Sequence, residues 1–301
     1  MEDTFLNTKE VAELLNIHEK QVYALIKAKR IPCTRVTGKW LFPQRLLEDW
    51  IKEDALKSIG SGSRAHDEYL LAAGSNDPVL DVLLNSIKKD NDSIPIYSAS
   101  TGSIDGLERL AQGKTNIAFC HLYDYEKEGF NIDMVNNSLT NQKFAVVHLF
   151  YRQIGFLVSQ SFNEKITSFK EIISNSLTFV NRQKGAGTRL LIDHLLEDES
   201  IQGNQVDGYN DEVYTHLEVA LKIINKTADI GVGTVAMASL FNLKFYPLLK
   251  ESFDMVMLQN TFFTPTIQSA IKQLASDDFK QGVKHMGDYD FSNSGAILHS
   301  S

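Results

Sequence analysis

Four short turns hold the residues best suited to chemistry: Gly74-Ser75, Ser100-Thr101-Gly102-Ser103, Gly185-Ala186-Gly187-Thr188 and Gly231-Val232-Gly233-Thr234. Each follows an apolar, strand-like run and precedes a run of helical period. A strand that feeds a glycine turn and then a helix leaves backbone N–H groups without partners. Together with the positive end of the helix dipole, they favour an anion. The third turn is flanked by Arg182 and Arg189, which add full charge. A tetrahedral dianion in a dry cleft needs roughly five to seven donors, each charge-assisted bond contributing about 1.5–3 kcal/mol. Ser75, Thr101, Ser103 and Thr188 are the hydroxyl candidates, with the backbone of Gly187 beside them. Arg152, Arg182 and Arg189 are candidate cations, His121 and His216 stand at strand and loop ends, and Tyr209 is placed to close over the anion. Plainer alternatives are helix capping for the hydroxyls, a core or capping role for the histidines, and an inter-lobe salt bridge for Arg152 and Arg182.

The elements that must position these turns alternate between strand and helix. A strand over 69–73 leads to Asp77-Pro78, an N-cap followed by proline at the first helical position. Strands over 94–98 and 117–120 follow, separated by a helix that Gly113 closes. Two β-rich runs, 144–150 and 154–158, are divided by the polar Tyr151-Arg152-Gln153. Ser168 with Glu171, and Thr215 with Glu218, form capping boxes. Late strands are expected over 245–249 and 253–258, and closing helices over 267–274 and 279–286. The alternation predicts mostly parallel sheets with helices on both faces, and ligand sites of such sheets lie beyond the carboxyl ends of the strands.

The first 57 residues carry a different chemistry. From Lys20 to Leu47 there are seven basic residues and no acidic one, although the whole chain has a net charge of −8. Thr8 is the expected cap of a helix with Val11, Ala12, Leu14 and Leu15 on one face. A second helix, from His18, carries Val22, Leu25 and Ile26. Two short helices joined by a turn of about four residues have the dimensions of a helix-turn-helix. Lys20, Gln21, Tyr23 and Lys27 fall outside the apolar face, and Arg30 follows. Arg35 and Lys39 flank a hairpin tip at Thr37-Gly38, after which Pro43 opens a third helix. These seven side chains are the candidate DNA contacts. Residues 58–66 are rich in Ser and Gly and are expected to be a flexible linker to a larger domain over 67–301.

Composition narrows the classes further. A chain of 301 residues with 43% apolar content can build two cored domains. Its two cysteines, Cys33 and Cys120, give neither a disulfide framework nor metal-ligand spacing. No run approaches a membrane span, and the acidic N-terminus is not a secretory signal, so a cytoplasmic protein without membrane association is expected. Gly113-Lys114-Thr115 lacks the upstream glycine of a phosphate loop, where Glu108 stands, and the glycine turn at 185–187 lacks the third glycine of a dinucleotide fingerprint. No catalytic set is assembled, so no enzyme and no resident metal are expected.

Two resemblances follow from these residues. The pattern T-x-E-V-A-x-L-L, then V-x-x-L-I-x-x-x-x-I-P and G-x-W-x-F, resembles the excisionase-type, MerR-like winged helix-turn-helix family over about fifty residues. Residues 69–295, through AGSNDP, TGSIDGLERLAQGKTNIAFCHLYD, YRQIG, FVNRQKGAGTRLLID, THLEVA, ADIGVG and GDYDFSNSG, are similar to the periplasmic-binding-protein-like domain of cytoplasmic regulators related to molybdate-binding proteins. That resemblance implies an α/β, type II, two-lobed domain that takes an oxyanion such as molybdate or tungstate in its cleft, with no covalent cofactor. It further implies a transcription regulator that binds DNA, and a homodimer is expected from how winged heads usually read paired half-sites. The alternative is a cytoplasmic oxyanion-binding or storage protein without regulatory DNA binding. Ala186 stands where the family often has serine, which removes one hydroxyl donor.

Overall fold

The computed structural model describes residues 5–28, 30–36, 38–58, 69–87, 94–125, 127 and 129–300. The chain divides into two compact units, residues 1–68 and 69–301. The expected linker falls, apart from Ser58 at the end of a helix, outside the described residues, as does Thr37 of the hairpin tip.

In the first unit, β1 (Phe5–Leu6) is followed by α1 (Thr8–Leu15), α2 (Glu19–Lys27), β2 (Thr34–Val36), β3 (Lys39–Pro43) and α3 (Gln44–Ser58). Asn7, rather than Thr8, caps α1. Its Oδ1 accepts from the amides of Lys9 and Glu10 at 2.9 and 3.1 Å, and Glu10 accepts from the Asn7 amide at 2.7 Å. Asn16, with φ 51°, turns the chain out of α1 in the left-handed region that asparagine tolerates. Pro43 closes β3 instead of opening α3. The small core joins Val11, Ala12, Val22, Ile31, Phe42 and Leu47. β1, too short to show a period in the sequence, adds a third strand to the hairpin by pairing with β3.

The second unit opens with β4 (Leu70–Gly74), α4 (Pro78–Ile87), β5 (Ile96–Ser100), α5 (Ser103–Ala111) and β6 (Ile117–Cys120). A two-stranded ribbon, β7 (Tyr123–Asp124) and β8 (Gly129–Phe130), precedes α6 (Ile132–Ser138) and the long β9 (Phe144–Val158). Then come α7 (Phe169–Ser174), β10 (Phe179–Arg182), α8 (Gly187–Asp198), β11 (Glu212–Val213), α9 (His216–Ile224), β12 (Ile230–Thr234) and α10 (Val235–Phe241). A second long strand, β13 (Lys244–Leu258), leads to α11 (Gln259–Phe262), α12 (Pro265–Ala275), α13 (Asp277–Val283) and β14 (Ile297–Ser300).

Nine strands form one sheet in the order β11-β10-β12-β9-β13-β6-β4-β5, with β14 also on β9. The expectation of mostly parallel pairing holds only at the two ends. β4 is parallel to β5 and β6, and β10 is parallel to β11 and β12, whereas every pairing of β9 and β13 is antiparallel. The four β-runs expected from 144 to 258 are two strands of 15 residues each. Their polar interruptions, Tyr151-Arg152-Gln153 and Lys250-Glu251-Ser252, do not break the strands but pair with each other in register.

Four apolar clusters flank this sheet, two to each lobe. In the first lobe, one gathers around α4, α12 and α13 and another around α5 and α6. In the second lobe, one gathers around α7 and α8 and another around α9 and α10. The apolar ends of β9 and β13 serve both lobes, so the polar middles lie where one core stops and the next begins.

Candidate functional site

Because β4, β5 and β6 are parallel, their carboxyl ends place Ser75, Thr101 and His121 on one side of the first lobe. Parallel β10 and β12 do the same for Arg182 and Thr234 in the second. The lobes meet across these ends. The Ile104 amide donates to the Gly185 carbonyl at 3.1 Å. A Cβ on Gly102, where φ is +94°, would lie 2.9 Å from that same oxygen, and one on Gly187 would meet the His121 carbonyl and ring at 2.7–2.9 Å. Glycine at 102 and 187 is therefore what lets the two helix N-termini come together.

Ser75 and Ser103 are both buried and share one hydrogen bond, Oγ to Oγ at 2.7 Å. The His121 amide donates to Ser103 Oγ at 3.3 Å. Two hydroxyls that share one bond leave one O–H over for a further acceptor. Thr188 and Thr234 are fully buried, and neither hydroxyl has a partner. Gln183, 7% exposed, has both amide atoms unpartnered. The Ala186 cap gives α8 no side-chain bond, so the first-turn N–H groups of Gly187 and Thr188 are left without an intrahelical acceptor. Thr101 lies beside Asp105, whose carboxyl is held below its usual range by Arg109 and, less strongly, by Thr101. Thr101, Asp105, Arg109, Gln183, Lys184 and Tyr214 line a mouth of about 440 Å³.

The three expected cations separate sharply. Arg152 is fully buried between two carboxylates. Nη1 donates to Asp77 Oδ2 at 2.6 Å, and Nε donates to Glu251 Oε1 at 2.6 Å. Nη2 lies 2.6 Å from that same Glu251 oxygen, an ion contact off the hydrogen-bond axis. Burial opposes its charge, but Glu251 and Asp77 outweigh burial and raise its pKa. Arg189 is likewise engaged by the protein: Nε meets Asp193 at 2.9 Å, Nη1 meets Glu212 at 2.6 Å and Nη2 donates to Tyr209 Oη at 2.8 Å. Tyr209 donates in turn to Asp193 at 2.7 Å and lies under the Arg189 guanidinium. For Arg152, Arg189 and Tyr209, then, neighbouring carboxylates take up the polar atoms expected to meet an anion.

Arg182 differs. It is 4% exposed, its Nη2 donates to the Tyr214 carbonyl at 2.7 Å, and its Nε and Nη1 have no partner. Burial, then the nearby Arg152, push its pKa down to about 10, with Glu218 and Glu251 offsetting only part of that.

The two histidines are both 4% exposed. His121 Nδ1 lies 2.9 Å from Glu251 Oε2. Burial lowers its pKa despite Glu251. Burial raises the Glu251 carboxyl, but His121 and Arg152 overcome that and bring it to about 2. His216 begins α9, and Thr215 performs the capping there, accepting from the Glu218 amide at 3.1 Å. His216 Nδ1 is buried without a partner.

Sequence patterning alone missed Gln183 and the second role of Asp77. Asp77 does cap α4, accepting from the Val79 amide at 2.7 Å, but its other oxygen holds Arg152. Glu251 was missed because it lies in a polar triplet that looks like a strand break. Thr234 had a signal, the fourth glycine–hydroxyl turn.

In the first unit, Lys20, Gln21, Tyr23, Lys27, Arg30, Arg35 and Lys39 are all exposed. Arg35 bonds the Gly38 carbonyl at 3.3 Å and covers the Trp40 ring at 5.5 Å, which stiffens the hairpin.

Comparison with known proteins agrees with this division. The family model of the PBP superfamily domain matches residues 84–275. The chain belongs to the PBP superfamily. A helix-turn-helix domain model matches residues 5–55. The protein YvgK of Bacillus subtilis (strain 168) is 27% identical over 96% of both chains. Among solved structures, this PBP-superfamily chain resembles the tungstate ABC transporter protein of Geobacter sulfurreducens, with TM-score 0.51 and 15% identity, over 73% of this chain and 98% of that one. It also resembles an ABC-type phosphate transport receptor of Vibrio cholerae, with TM-score 0.50 and 15% identity, over 73% and 99%. Both likenesses are of fold. The head is of a DNA-binding type and the larger domain of a small-ligand-binding type, and no helix among the described residues is long and apolar enough to cross a membrane.

Proposed function

We propose that this protein is a transcription regulator whose head binds DNA and whose PBP-superfamily domain senses a tetrahedral oxyanion, molybdate or tungstate, between its lobes. Arg182 carries the reading: a buried cation with two free N–H donors and no carboxylate bonded to it. Such a group is costly unless an anion completes it. The donors beside it are the Thr188 and Thr234 hydroxyls, the spare O–H of Ser75–Ser103, and the first-turn amides of α8. Arg152, neutralised by Asp77 and Glu251, serves as scaffold. Closure of the lobes on the anion sets how a homodimer presents its heads to paired half-sites.

Calorimetry of anion-cleared protein against molybdate, tungstate, sulfate and phosphate tests the ligand. Absence of heat with all four removes the oxyanion from the proposal. For the head, operator binding should weaken steeply with salt, and Lys20→Ala and Lys27→Ala should each reduce that slope by about one. An unchanged slope would place the DNA surface elsewhere.

A further inference from the structure

The free donors of the cleft are accompanied by one atom of opposite character. The Val232 carbonyl lies close enough to the His216 ring to favour its charged form, and Nδ1 is buried without a partner. With the single proton of the neutral ring on Nε2, Nδ1 is a bare acceptor. Burial first, then Arg182 and Arg152, hold its pKa well below the usual 6.5, so the free protein keeps this ring neutral.

Several charged groups of the described residues act on the ring. Arg182 faces it from β10, Arg152 from β9 and His121 from the end of β6. Glu251 on β13 is turned to Arg152 and His121, and Glu218 on its own helix caps the turn through Thr215 and the Tyr214 amide. β12 offers the Val232 carbonyl, and α10 carries no ionisable side chain. Gly233 lies beside the ring: a Cβ there would sit at ordinary contact distance from Nδ1, 3.7 Å, and 2.5 Å from Leu157 Cδ1.

Two acceptors cannot face each other in a dry site. An oxyanion that fills the donors of Arg182 presents lone pairs in every direction, including toward Nδ1. Asp77 and Glu251 are both bonded to Arg152, which leaves Arg182 as the one of these two cations without a bonded carboxylate. A dianion therefore brings one negative charge more than Arg182 answers, the condition that draws a proton onto a buried imidazole. Extending the oxyanion reading above, we infer that a fully ionised oxyanion enters this cleft together with one proton, which binds His216 Nδ1 and is donated to an anion oxygen. The proton comes from solvent, no covalent bond of the anion changes, and His216 becomes a cationic ligand-contacting residue. Dihydrogen phosphate, a monoanion that carries its own O–H groups, needs no proton from solvent.

The test is titration calorimetry of the full chain with sodium molybdate in two buffers of different ionisation enthalpy. Expected is uptake of about one proton per molybdate, with affinity falling about tenfold for each pH unit above neutrality. The same titration with phosphate at a pH where it is dihydrogen phosphate should show little uptake. In His216→Gln, whose amide can donate without titrating, molybdate should bind with neither uptake nor pH slope. In His121→Gln the uptake should persist. Nitrogen chemical shifts of the wild-type ring, free and with molybdate, give the same answer without a variant: Nδ1 should change from bare to protonated.

Molybdate binding with buffer-independent heat, or uptake that survives in His216→Gln, overturns the inference and leaves the oxyanion reading standing. Failure of every anion to bind overturns both.

Discussion

Arg152 and Arg182 lie in one cleft at nearly the same burial, 0% and 4% exposed, yet their surroundings are opposites. Arg152, in the middle of β9, is held by carboxylates from two directions. Arg182, at the end of β10, has a single carbonyl and two idle N–H groups. A buried cation with its counter-charges in place organises structure, and one without them is arranged for something that arrives later. Burial alone does not separate the two; the inventory of partners does.

Arg152→Ala gives the largest expected effect in testing that contrast. Two buried carboxylates would lose their cation, and the domain should lose about 3–5 kcal/mol of stability in denaturant unfolding. Arg182→Ala should leave unfolding of the anion-free protein unchanged or slightly harder, because an unmatched buried charge has been removed. Its anion affinity should fall by roughly 100-fold or more, for two charge-assisted bonds. If both variants unfold alike, the contrast between scaffold and site is wrong.

Acid should sharpen it next. His121 and His216 are held below their ordinary 6.5 in the folded state, chiefly by burial. The unfolded chain therefore binds more protons, and stability should fall as pH drops below about 6.5. Glu251, lowered to about 2, adds a further loss between about 4.5 and 2. Melting temperature against pH, with and without molybdate, checks this, and the anion should blunt the first loss. Thr188→Val should be the mildest change, about tenfold in affinity with the fold intact. No change there would take Thr188 out of the donor set.

Much of the fold could be read from local pattern. Asp77-Pro78, the Ser168–Glu171 box and Thr215 signalled helix starts with their own hydrogen bonds, and all three are where the pattern put them. The two long strands were not legible as such. Tyr151-Arg152-Gln153 and Lys250-Glu251-Ser252 have the polarity of loops because they cross the cleft, where polar atoms find each other rather than water. The third arginine, Arg189, shows the same limit: its spacing from the glycine turn promised an anion contact. Asp193, one helical turn on, takes its Nε instead, at i and i+4, with Glu212 on β11 taking Nη1. Sequence placed the charges, and only packing decided which were spare.

The paired middles of β9 and β13 have a mechanical consequence. They form a two-stranded ribbon that both lobes hang from, with irregular register between Pro247 and Leu249 and between Phe253 and Asp254. These two flaws bracket the Arg152–Glu251 pair like the scored lines of a folded card. Bending at them would swing the lobes apart while the ion pair, held on neighbouring strands, kept its length as the pivot pin. Asp77, anchored in the first lobe alone, is the grip on Arg152 that such a swing would strain.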